Sequence, residues 1–169
     1  LAGSGTPFNI TSQGAFSAST STVQYTGTSA TNITATTYHH LSLVPLSGGP
    51  QYILGTDNGQ TINVGGDFTV GNGGVLGIQQ NSFTPQTIVN VNGHFTVNTT
   101  GTWFEGGTAP INLSPNGTKT WTMTNFAHDD LGIVNITGGS NTPRIVLTGP
   151  VMTSGLTIAA SHELDLSTF

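Results

Sequence analysis

Two imidazoles and one carboxylate occupy matching places in three similar phrases. His40 precedes Leu41-Ser42-Leu43, Asp67 precedes Phe68-Thr69-Val70, and His94 precedes Phe95-Thr96-Val97. Such a donor set suits zinc. To meet, the three strands must be neighbours with their apolar residues turned in and these residues turned out. They would then stack as a His–Asp–His ladder with rungs about 4.8 Å apart. Adjacent rungs on a flat face do not converge on one tetrahedral centre. The expectation is therefore a solvated ladder whose middle carboxylate hydrogen-bonds its neighbours, and no cofactor.

Other candidates for chemistry are weaker. His39 and His40 are adjacent, so a strand would point them to opposite faces. His128-Asp129-Asp130 is the densest ionisable cluster. Paired carboxylates serve glycoside hydrolysis, but Lys119 and Arg144 are the only basic side chains, and a turn explains the pair better. Thr56-Asp57-Asn58-Gly59-Gln60 and Gly71-Asn72-Gly73-Gly74 have the colouring of calcium loops, yet fit neither the EF-hand nor the nonapeptide repeat and read as turns. No nucleophile elbow or phosphate loop is present. Tyr52, Trp103 and Trp121 could stack on sugar rings if exposed. Ser42, Thr69 and Thr96 fall in line as a short hydroxyl ladder of a kind that could face ice or mineral. Six Asn-x-Ser/Thr sequons, at Asn9, Asn32, Asn98, Asn112, Asn116 and Asn135, matter only where the source glycosylates secreted proteins.

The elements that would position these residues are strands. Apolar–polar–apolar bursts recur along the chain, separated by Gly, Asn and Pro, and no helical spacing persists. Asn63-Val64-Gly65-Gly66-Asp67-Phe68-Thr69-Val70 is echoed 27 residues later by Asn90-Val91-Asn92-Gly93-His94-Phe95-Thr96-Val97. Leu41-Ser42-Leu43 lies 27 before Phe68, and Trp121-Thr122-Met123 lies 26 after Phe95. Leu131-Gly132-Ile133 and Leu156-Thr157-Ile158 are 25 apart. A repeat of that length holding two or three short strands predicts a parallel β-solenoid of roughly six coils of about 25–27 residues. Each coil buries its apolar face on the next. Leu41, Phe68 and Phe95 form one column, and Leu43, Val70 and Val97 another. A β-sandwich or jelly roll is the alternative, but it does not call for an octet repeated at fixed spacing. Residues 1–169 read as one domain, with 1–37 an irregular or capping first coil and 38–169 regular coils.

Composition narrows the function. Charged residues make up 5% of the 169, against a usual share of about 25%. The net charge is −5, so clustered basic residues for nucleic acid are lacking. No apolar run is long enough for membrane insertion as a helix. There is no Cys, which excludes disulfides and thiolate metal sites. Gly numbers 24, and Thr is commoner still. The chain starts at Leu1 and stops inside a strand-like phrase, so it reads as processed or as part of something longer.

Thr22–Leu43, Thr61–Gly74 and Ser154–Phe169 together resemble the repeats of large bacterial surface proteins: β-strand-repeat, filamentous-adhesin-like and autotransporter-passenger-like solenoids. The shared phrases are an aromatic followed by Leu-x-Leu, a Gly before a strand of the Phe-Thr-Val kind, and Leu-x-Ile followed by Leu-Asp-Leu. The resemblance implies secretion, extracellular or cell-surface display, and adhesive or structural work. It brings no catalytic residues. The function expected is a non-enzymatic structural protein, an adhesin segment or fibre subunit, associating head to tail with copies of itself or with flanking repeats. A carbohydrate-binding or polysaccharide-processing module, with a surface glycan as partner, is the alternative. No cap is legible at either end, so both ends are expected to be open β edges.

Overall fold

The computed structural model describes residues 1–10, 16–80, 86–105, 109–124 and 130–166. The protein is an all-β parallel solenoid, and no helix occurs among the described residues. Its first turn runs β1 (Thr22–Tyr25), β2 (Thr31–Ile33) and β3 (Thr37–Tyr38), and the second β4 (His40–Leu43), β5 (Gln51–Leu54) and β6 (Thr61–Val64). The third runs β7 (Phe68–Val70), β8 (Gly77–Gln80) and β9 (Ile88–Val91), and the fourth β10 (Phe95–Asn98), β11 (Trp103–Glu105) and β12 (Ile111–Leu113). Two further turns have two strands each: β13 (Asn116–Thr124) with β14 (Ile133–Ile136), and β15 (Ser140–Leu147) with β16 (Gly155–Ile158). A last strand, β17 (Glu163–Asp165), closes the described chain.

Stacking the turns makes three parallel walls. The first wall is β1-β4-β7-β10-β13-β15-β17, the second is β2-β5-β8-β11, and the third is β3-β6-β9-β12-β14-β16. The strands are short, and most alternate buried with half-buried residues, as a pleat with one face in the core demands. On the first wall, Leu41, Phe68, Phe95, Trp121 and Leu147 pair in succession. Leu43, Val70, Val97 and Met123 form the neighbouring column. The Phe68 and Phe95 rings stack 5.5 Å apart, and Trp121 follows at 6.4 Å from Phe95. Each fully buried ring contributes roughly 1.5–3 kcal/mol of apolar burial.

The repeated octet has a steric reason. Gly66 and Gly93 stack at the corner before the first wall, where Gly93 N–H donates to the Gly66 carbonyl at 2.9 Å. A Cβ on Gly93 would sit 2.4 Å from that carbonyl. Backbone approaches backbone here, so the corner admits glycine alone.

The walls differ in period. Phe95 follows Phe68 by 27 residues, whereas Ile111 follows its partner Val89 by 22. Late in the chain the expected register is wrong. Leu131-Gly132-Ile133 does not pair with Leu156-Thr157-Ile158; Val134 pairs with Leu156 and Ile136 with Ile158, 22 residues apart. Corner loops absorb the variation, so a fixed offset holds only within one wall.

Candidate functional site

The outward residues of the first wall form the ladder read from the sequence, but its bonds differ. His40 Nδ1 accepts the backbone N–H of Asp67 at 2.8 Å, Asp67 Oδ1 accepts that of His94 at 2.8 Å, and His94 Nδ1 accepts that of Thr120 at 3.0 Å. Each side chain caps the strand start of the next turn. An accepting Nδ1 has no proton, so both rings carry theirs on Nε2. The Asp67 carboxylate lies 3.6 Å from His40 Nδ1 and bridges no second imidazole through its side chain. The atoms a metal would need are engaged with amides. Among the described residues no group of three or more His, Cys, Asp or Glu is arranged to hold a metal ion.

Beside this ladder run hydroxyls. Ser42, Thr69, Thr96 and Thr122 are successive partners, and Thr122 Oγ1 is hydrogen-bonded to Thr148 Oγ1 at 2.5 Å. The third wall carries a second array, which the sequence reading missed. Asn90 Nδ2 donates to Asn63 Oδ1 at 2.7 Å, Asn112 to Asn90 at 2.8 Å, and Asn135 to Asn112 at 3.0 Å. Four amides thus cross-link four turns outside the core. Each is the middle of an apolar–Asn–apolar strand, a signal the sequence does contain. Asn112 and Asn135 are also sequon residues, and here their amides are bonded within the wall.

The three aromatics proposed for sugar stacking are corrected by their burial. Tyr52 and Trp121 are 0% exposed and Trp103 is 3% exposed. They are inward rungs of their strands and present no ring face to a ligand. Tyr52 donates its hydroxyl to the Gly27 carbonyl at 2.6 Å, and burial pushes its pKa up to about 12, which keeps it a donor. His39 and His40 are edge-to-face at 4.4 Å between ring centres. Of the His128-Asp129-Asp130 cluster, His128 and Asp129 lie outside the described residues, while Asp130 Oδ1 accepts the Gly132 N–H in a turn.

The two ends of the rod differ, which corrects the expectation that both are open. At the N-terminal end the chain lays a partial extra turn over the first. Leu1 bonds Gln24 and Thr26 on β1, Gly5 bridges Thr31 on β2, and the Thr34 hydroxyl donates to the Phe8 carbonyl. Phe8 and Phe16 then pack on Tyr38, with ring centres 6.3 and 6.1 Å away. This cap has no repeat pattern because single residues supply its backbone bonds. It leaves an open hollow of about 390 Å³ lined by Leu1, Phe8, Phe16, Thr22, Val23 and Gln24.

At the C-terminal end the core columns surface. Val134 and Ile136 are fully buried, but their partners Leu156 and Ile158 are 43% and 44% exposed. Leu166 is 56% exposed. The last strand is held by charge: Arg144 on β15 bonds Asp165 and reaches Glu163 at 3.2 Å. His162, just before β17, directs one ring nitrogen at the Ala160 carbonyl and the other at that of Gly138. The Ala160 and Gly138 oxygens raise its pKa above the ordinary value.

No family model matches the chain, and no curated protein or solved structure matches it significantly. No helix among the described residues is long and apolar enough to cross a membrane.

Proposed function

We propose that this chain is a non-enzymatic structural protein that works outside the cell, as a segment of a surface adhesin or a subunit of a fibre, and associates end to end. The observation that carries the reading is the emergence of the apolar columns at Leu156 and Ile158, half-exposed where the preceding rungs are fully buried. A column of this kind is stabilised by another coil stacked on it, and an uncovered strand edge pairs readily with further β structure. The charge-poor, Thr-, Asn- and Gly-rich composition and the phrases shared with bacterial surface solenoids support extracellular display. The non-enzymatic reading rests on the outward His and Asp groups, whose acceptor atoms are committed to backbone amides.

Negative-stain electron microscopy over a concentration series tests it. End-joined rods or filaments should lengthen as concentration rises. Rods that stay single up to the solubility limit overturn the end-to-end reading.

A further inference from the structure

The hollow at one end and the exposed aliphatics at the other belong to the same columns. On β17, Glu163 pairs with Arg144, Leu164 with Ile145 and Asp165 with Val146. Carrying that register forward one residue sets Leu166 beside Leu147. Leu166 therefore ends the column that runs through Leu41, Phe68, Phe95, Trp121 and Leu147. Its first rung, at the opposite end, is Val23, the partner of Leu41. Val23 lines the hollow, in the gap that the N-terminal cap leaves over β1. On the third wall, Ile158 ends a column that begins at Tyr38, the residue covered by Phe8 and Phe16.

We infer that the partner of the C-terminal end is the N-terminal end of a second copy of this chain, with Leu166 seated in the hollow formed by Leu1, Phe8, Phe16 and Val23. This rests on the end-to-end reading above and names its joint. Coaxial stacking brings knob and hollow together because both continue one column, and it brings Ile158 over the aromatic cap. The two surfaces differ, so the contact is heterologous and each copy keeps one free head and one free tail. Repetition gives an open filament with a direction.

Two chains blocked at opposite ends test the joint, read by sedimentation velocity. Leu166→Asp blocks the tail and leaves the head; Val23→Asp blocks the head and leaves the tail. Each alone should associate about 10- to 100-fold more weakly than wild type, the loss expected when one leucine-sized contact is removed. Mixed, they should form a dimer of one copy of each and nothing longer, since only one unblocked pair of ends exists. Leu46→Asp, at a flank position 75% exposed, should assemble as wild type. A thermal melt of each variant checks folding. Leu166→Ser, a milder change at an exposed site, serves if Leu166→Asp melts early, and should show the same defect. Wild-type assembly that neither end variant weakens overturns this joint and leaves the end-to-end reading standing. A wild-type chain that never assembles overturns both.

Discussion

The first four turns and the last two are built from the same strands but differ in walls. Turns one to four have three walls, and their core holds Tyr25, Tyr38, Tyr52, Phe68, Phe95 and Trp103. The second wall ends at β11, and the last two turns are assigned strands on the first and third walls only. There the residues are aliphatic, and Met152, Leu156 and Ile158 are partly exposed. The strand sequences alone do not explain this: Leu156-Thr157-Ile158 is as apolar as Ile111-Asn112-Leu113. Burial in a solenoid belongs to the neighbouring turn as much as to the residue.

Paired substitutions sharpen that contrast, beginning with the largest effect. Trp121→Ala should destabilise by about 3–5 kcal/mol in urea unfolding, as expected for a large buried ring. Leu156→Ala, half-exposed, should lose about 1 kcal/mol or less. Comparable losses at both positions would break the comparison. Next come two glycines. Gly93→Ala drives a Cβ into the Gly66 carbonyl and should lower stability by about 1–3 kcal/mol. Gly155→Ala meets nothing nearer than Ile133 Cγ1 at 3.6 Å, and its melting curve should overlie that of wild type. Asn112→Ala removes one amide bond on each side, to Asn90 and to Asn135, and should lower stability by about 1 kcal/mol, because the wall is half solvated.

The smallest effect is at His162. Its folded pKa is raised, so its contribution is fully present below the unfolded value of about 6.5 and is lost as pH rises through the folded value. Amide exchange of Glu163–Asp165 should therefore be slower on the acid side, while carboxylates remain ionised, and His162→Gln should flatten that dependence. An unchanged pH profile in the variant would assign the last strand's docking to Arg144 alone.

The first wall was readable in the sequence because its corners keep a near-constant offset. Phe68, Phe95 and Trp121 lie 27 and 26 apart, and the glycine that only a tight corner requires travels with the motif. The asparagine ladder was hidden by its own irregularity. Asn63, Asn90, Asn112 and Asn135 are offset by 27, 22 and 23, so a search at one period finds only the first pair. Tyr52, Trp103 and Trp121 were misread because a three-residue burst looks alike whichever face is buried; only the neighbouring turns settle the side. The N-terminal cap was invisible for another reason. Backbone bonds from Leu1 and Gly5 depend on where the chain passes, not on which side chains it carries.

The asparagine ladder also has a sense. Every amide gives its nitrogen to the turn before and offers its oxygen to the turn after. If one turned over, two oxygens would face each other on one side and two nitrogens on the other. The four groups therefore keep a single orientation together, like dominoes that can stand only as a row, and the side of the rod carries an arrow pointing along its axis.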